Sequence, residues 1–150
     1  MPSRAELQTL THQRIDEAKV LLPLNFTDAA FYLAGYSIEL ALKAVVCRTL
    51  DQDDFYQPDR SNKAARYVQD RIFREFKTHN YSDLLVLSGL SSKFEAARQT
   101  DNDLNNAWLI IVEMQWSEQR RYETGTYLPA DVYAFLEAIE TVIQWISKFW

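Results

Sequence analysis

The chain has 150 residues, 47% of them hydrophobic and 25% charged, and a formal net charge of −5. This is the profile of one soluble globular domain, expected to span residues 1–150, and not of a protein that coats nucleic acid through its overall charge. Three glycines and four prolines leave little material for tight hairpins, so an all-β fold is disfavoured and an all-α fold is expected; the single Cys47 excludes an internal disulfide and a cysteine-pair zinc site.

From Ser3 to Leu22, the residues Leu7, Leu10, Ile15, Ala18, Leu21 and Leu22 recur at helical spacing. Ser3 followed by Glu6 predicts a capping box at the start of this helix. His12 falls on no ligand pattern and reads as a surface residue. Pro23 and Asn25 end the helix and predict a short connection into an antiparallel partner.

The partner, within residues 25–50, is the element around which the chain is organised. At about 100° per residue, Asp28, Tyr32, Tyr36, Glu39 and Lys43 share a narrow polar stripe. Phe31, Leu33, Ala34, Ile38, Leu40, Leu42, Val45 and Val46 cover most of the remaining circumference, as in a helix wrapped by neighbours. Thr27 or Asp28 is the expected N-cap, Glu39 is expected to pair with Lys43 one turn later, and Cys47 reads as a small core residue. The stripe is either the helix's wet edge or a polar line facing a cleft or partner. Glu39 and Lys43 interrupt the apolar run, and the N-terminus lacks a charged start followed by an apolar stretch, so neither membrane spanning nor export is expected. A cytoplasmic setting fits the cysteine content.

Residues 51–62 read as a loop, acidic at Asp51, Asp53, Asp54 and Asp59. A third helix is predicted over 61–77, with Ala65, Val68, Ile72, Phe73 and Phe76 inward. Arg60, Lys63, Arg66, Arg71, Arg74 and Lys77 point mostly away from that side, forming either a solvated face or a local phosphate-binding one. A short helix over 81–90 ends near Gly89, and Ser91 or Ser92 caps a long segment that the run DNDLNN can bend or divide. The polar, aromatic connection WSEQRRYETGTYLP leads to a last helix over 130–150, apolar along Val132, Phe135, Leu136, Ile139, Val142, Ile143, Ile146 and Phe149.

The sequence carries no HExxH, no cysteine–histidine cluster and no glycine-rich phosphate loop, so no metal or cofactor is expected. One arrangement stands out: RIFREFKTHNYSD, in which Arg74, His79 and Tyr81 lie close in sequence. Together with YSIELALK in the central helix (Tyr36, Ser37, Glu39, Leu42, Lys43), the THNYSDLL segment, and WSEQRRY (Trp116, Arg121, Tyr122), it resembles the HEPN-domain family, the higher eukaryote and prokaryote nucleotide-binding domains. The resemblance covers nearly the whole chain. It implies an antiparallel bundle of about five helices, usually homodimeric.

Many members of that family are metal-independent endoribonucleases of toxin or defence type, with an arginine a few residues before a histidine. Carried onto this chain, the resemblance implies Arg74, His79 and Tyr81 as the catalytic set. His79 would move the proton of a ribose 2′-hydroxyl, Arg74 would stabilise the charge on the phosphorane, and Tyr81 would stack on a base or hold a phosphate oxygen. Residues five apart on a straight helix are about 140° out of phase, so Arg74 and His79 converge only if the helix ends between them or a second subunit contributes. Glu75 stands where the ribonuclease members commonly carry Asn or Asp. In non-catalytic members a segment like THNYSDLL begins a helix and its histidine serves as a local cap.

Two functions therefore stay open. One is an RNA-cleaving protein, with an antitoxin protein as a natural partner. The other is a non-catalytic module that binds a nucleotide or a separate nucleotidyltransferase, with Glu39, Lys43, Arg71, Arg120, Arg121 and Tyr122 as the nucleotide- or RNA-binding set. The aromatic end QWISKFW offers a third reading, a structural dimerisation surface.

Overall fold

Ser3 opens the first helix as its spacing to Glu6 predicts. In the computed structural model, which describes residues 2–55, 61 and 66–150, the Glu6 amide donates to Ser3 Oγ at 3.2 Å and the Ser3 amide donates to Glu6 Oε2 at 2.7 Å. This reciprocal pair satisfies two of the donors that a helix start leaves open. Helix α1 spans Arg4–Leu21 and continues into the 3₁₀ turn Leu22–Leu24, where Asn25 adopts the left-handed conformation that reverses the chain. Helix α2 then runs Thr27–Thr49, packed along α1.

The described residues are all-helical apart from an isolated antiparallel bridge between Ser3 and Asp54. After α2 come α3 (Arg66–Phe76), α4 (Tyr81–Leu87), α5 (Ser91–Thr100), α6 (Asn102–Glu113), a 3₁₀ turn over Glu118–Tyr122, and α7 (Pro129–Ile146). Seven α-helices thus stand among the described residues where about five were expected. Part of the difference is the division of the long segment after Ser91: Asp101 is extended, and its Oδ1 accepts from the Leu104 amide at 3.0 Å, starting α6 afresh.

Helix α2 is the axis of the bundle. Phe31, Ala34, Ile38, Ala41, Leu42 and Val45 are buried against Ile15, Ala18 and Leu22 from the α1 side, Phe135, Ile139 and Val142 of α7, and Leu84 of α4. Each large apolar side chain so enclosed contributes roughly 1.5–3 kcal/mol relative to exposure. By length and composition α2 could cross a membrane, but 78% of its most apolar window is buried inside the fold. A second apolar cluster joins Leu7, Leu40, Ala44, Val46, Cys47, Phe55 and Phe76, so it ties the start of α1 and the end of α3 to the C-terminal half of α2. The Arg4 amide donates to the Asp53 carbonyl at 2.6 Å and the Phe55 amide to the Pro2 carbonyl at 3.0 Å, fixing this corner.

Several local expectations change. Neither Thr27 nor Asp28 caps α2: the cap position is Phe26, without a side-chain hydrogen bond, and Asp28 instead accepts from the amides of Gly125 and Thr126. Its carboxylate serves a tertiary contact that outcompetes the local one. Leu90, not Ser91 or Ser92, holds the cap position of α5. Helix α4 stops at Leu87, and Gly89, at φ +73°, makes the turn that follows. Helix α7 ends at Ile146, where the chain turns so that the Trp150 carbonyl accepts from Arg48 Nη1 at 3.2 Å. Phe76 is buried on α3 as expected, whereas Val68 is exposed. The predicted positions Arg60, Lys63 and Ala65, and the side chains of Arg66 and Ile72, lie outside the described residues.

Cys47 is buried, and burial pushes its thiol up to about 11. At pH 8 the thiolate is then roughly one part in a thousand, against a substantial fraction for an unfolded cysteine titrating near about 8.5. The native protein is expected to react with a thiol-specific disulfide reagent at least about 100-fold more slowly than the urea-unfolded chain. Equal rates would contradict this placement. The native state also holds that proton more tightly than the unfolded chain does, so the thiol's effect on stability is unfavourable as pH rises from about 8.5 toward 11.

Candidate functional site

The segment between α3 and α4 is short and fixed by its own side chains. Asn80 Oδ1 accepts from the amides of Ser82 at 2.8 Å and Asp83 at 3.2 Å, capping α4. Thr78 Oγ1 donates to Asp83 Oδ2 at 2.9 Å and accepts from the Asn80 amide at 3.1 Å. The cap is therefore Asn80, and the neighbouring His79 ring is left to make a different contact. Helix α3 ends at Phe76, so the phase argument against Arg74 and His79 on one straight helix does not apply.

His79 reaches back to the central helix. Its Nδ1 lies 2.9 Å from Oε1 and 2.9 Å from Oε2 of Glu39. Glu39 is 0% exposed, and its Oε1 also takes Lys43 Nζ at 2.5 Å, the predicted ion pair one turn along α2. Lys43 Nζ lies 5.2 Å from the centre of the Phe55 ring, so an aromatic face covers the cation on the side of the second apolar cluster. The polar stripe of α2 is therefore no wet edge at this point. A carboxylate is an acceptor only, so in the neutral imidazole Nδ1 carries the proton and Nε2 is left as the free acceptor. The His79 side chain is 44% exposed and lines a cleft of about 340 Å³ with Trp116, Ser117 and Glu118. Glu118's own backbone amide holds its carboxyl below the usual range, and the His79 ring adds a smaller pull in the same direction.

Beside His79, an aromatic stack covers the N-terminal half of the stripe. Tyr81 lies flat on Trp116, with centroids 5.1 Å apart and planes 5° apart. Trp116 Nε1 donates to the Tyr32 carbonyl at 3.0 Å, and Tyr32 stacks in turn on Tyr36 at 6.1 Å. Gly35 makes this possible: a Cβ there would overlap Cδ1, Nε1 and Cγ of Trp116. The Tyr81 hydroxyl donates to the Gly35 carbonyl at 2.7 Å, and burial, followed by the charge of Glu39, raises its pKa well above the usual tyrosine value. Burial and Glu39 raise Tyr36 as well. The residues that sequence reasoning left out of the site are Gly35, Trp116 and Glu118. Gly35 had a local signal, as an isolated glycine inside an apolar helix, and Trp116 and Glu118 lay in the WSEQRRY segment that carried the resemblance.

The remaining predicted residues fall in two other places. Arg120 donates from Nη1 to both carboxylate oxygens of Glu123 (2.9 and 2.7 Å) and from Nε to the Gln115 carbonyl at 3.1 Å, so it is engaged in closing the turn after α6. Arg121 is exposed, its guanidinium 4.9 Å from the centre of the exposed Tyr122 ring, and it opens on a separate cleft of about 420 Å³ with Phe26, Asp28 and Tyr32. Arg71 and Arg74 are exposed on α3 and form no salt bridge with a described residue. The structure thus gathers Glu39, Lys43, His79 and Tyr81, and sets Arg120, Arg121 and Tyr122 at the N-terminal end of α2. No group of three or more histidine, cysteine, aspartate or glutamate side chains suited to a metal ion occurs among the described residues.

Comparison of the chain with protein-family models, with curated proteins and with solved structures finds no match.

Proposed function

We propose that this chain is a HEPN-like helical protein that acts on RNA, with His79 as the acid–base group of a metal-independent endoribonuclease. One observation carries the reading: an exposed imidazole whose Nδ1 is held at 2.9 Å by both oxygens of a fully buried carboxylate. A buried Glu39–Lys43 pair is a poor way to stabilise a helix, because desolvation offsets much of its attraction. The same pair is a good way to fix the tautomer and orientation of a histidine at the surface.

In this reading Nε2 takes the proton of a ribose 2′-hydroxyl as the 2′-oxygen attacks phosphorus. The bond from phosphorus to the 5′-oxygen breaks, and the proton taken up at Nε2 passes to the leaving oxygen as it departs, giving a 2′,3′-cyclic phosphate and a 5′-hydroxyl. Arg74 supplies positive charge for the phosphorane from the end of α3. Tyr81 does not hold the phosphate, because its hydroxyl is bonded to Gly35; it positions Trp116 beside the cleft.

The test is cleavage of a mixed RNA in EDTA by purified protein. His79→Ala is expected to reduce the rate by about 100-fold or more, Arg74→Ala is expected to reduce it as well, and the wild-type products should carry 2′,3′-cyclic phosphate ends. Cleavage that persists unchanged in folded His79→Ala protein would sink the reading.

A second reading, a non-catalytic module that binds a nucleotide or a nucleotidyltransferase, is favoured by Glu118, whose carboxyl faces the same cleft as His79 and opposes an RNA phosphate. Absence of cleavage by the wild-type chain on several RNAs, with retained nucleotide or partner binding, would select it.

A further inference from the structure

The outer face of α3 carries an aromatic ring followed by two cations. Tyr67, Arg71 and Arg74 stand at i, i+4 and i+7, within about 60° of one another around the helix. Phe76, buried in the second apolar cluster, lies on the opposite side of the same helix. Tyr67 is 74% exposed, an unusual position for a tyrosine on a helix whose inward side has phenylalanines available. Arg71 and Arg74 are exposed too, and the carboxylates of Asp70 and Glu75 flank the stripe on either side without interrupting it.

We infer that Tyr67, Arg71 and Arg74 form a track for a single-stranded RNA, with the Tyr67 ring stacking on an unpaired base and the two guanidiniums on adjoining phosphates. The choice of occupant rests on charge complementarity. A protein of net charge −5 that keeps two arginines and a bare aromatic on one outer stripe presents a local site for a polyanion with exposed π-faces. A duplex would offer phosphates but no free base face to Tyr67, so the single-stranded form is specified. The track lies on the helix that ends three residues before His79, and so leads a strand toward that cleft. The inference rests on RNA being the ligand of the His79 site and adds the form of the RNA and the residues, Tyr67 and Arg71, that hold it beyond Arg74.

Binding is measured separately from cleavage, by fluorescence anisotropy of a dye-labelled, unstructured twelve-nucleotide RNA (about that length suffices) titrated with His79→Ala protein. In this background Tyr67→Ala is expected to weaken binding about 5- to 100-fold, while Tyr67→Phe keeps it. Arg71→Ala and Arg74→Ala should each reduce the slope of log K against log salt by about 0.7. A matched RNA duplex should bind without dependence on Tyr67. Equal affinity of the Tyr67→Ala and parent proteins for the single strand, or no binding by the parent, overturns the track. Track-dependent binding without cleavage by the wild-type chain would leave the track standing and remove the ribonuclease reading.

Discussion

Glu39→Ala should be the most damaging single change at this site, lowering the free energy of unfolding by about 3–5 kcal/mol. The loss comes from what remains behind. Lys43, with its side chain only 13% exposed, would keep its charge without the carboxylate oxygen 2.5 Å away, and His79 would lose both acceptors of its Nδ1. Urea unfolding followed by far-UV circular dichroism reads the effect, and a midpoint equal to that of the parent would show that the pair contributes no stability. Glu39→Gln separates the structural from the chemical role. The amide keeps the size and one acceptor oxygen but gives the His79 ring a neutral partner in place of a carboxylate, so RNA cleavage should fall while the urea midpoint stays nearer the parent's than that of Glu39→Ala.

Gly35→Ala is the second. In most helix interiors this replacement stabilises by up to about 1 kcal/mol. Here the sign reverses, because the added methyl overlaps the Trp116 ring. The ring cannot slide away easily: its Nε1 is tied to the Tyr32 carbonyl and its face is stacked on Tyr81, which is itself bonded to the Gly35 carbonyl. Overpacking of this kind costs about 3 kcal/mol, equivalent in a chain of this size to a fall in Tm of roughly 6–12 °C. Calorimetry or thermal circular dichroism measures it. An unchanged or raised Tm would mean that the ring is free to move.

What could be read from the sequence was whatever lies within one helical turn. The Ser3–Glu6 capping box, the Glu39–Lys43 pair, the apolar wrapping of α2 and the possible division of the long segment near Asp101 all depend on residues three or four apart, where periodicity and cap chemistry act directly. The assignments that changed were decided by partners distant in the chain. Asp28 looked like a cap until the loop at Gly125 supplied two amides for it. Tyr81 looked available to a substrate, but its hydroxyl found the carbonyl that Gly35 exposes beneath Trp116. Arg120 and Arg121 are adjacent, chemically alike and both line the cleft beside Tyr32, yet Arg120 is tied to Glu123 and the Gln115 carbonyl while Arg121 lies against the Tyr122 ring, a distinction set by the 3₁₀ turn that carries them. The Glu39–His79 contact belongs to the same class: each residue was suspected alone, and only the return of the chain from α3 to α4 joins them.

The near-parallel packing of Tyr81 on Trp116 also has an optical consequence. Two aromatic chromophores held face to face in a chiral setting mix their electronic transitions, which gives a near-ultraviolet dichroic signal that vanishes when the rings separate. The helical backbone signal in the far ultraviolet does not depend on that stack. The two wavelength ranges therefore follow different events in one sample: the first reports the seating of the segment that holds His79 against α2, and the second reports the bundle. A ligand that pries the stack open would bleach the first while leaving the second intact, making the protein its own indicator of occupancy.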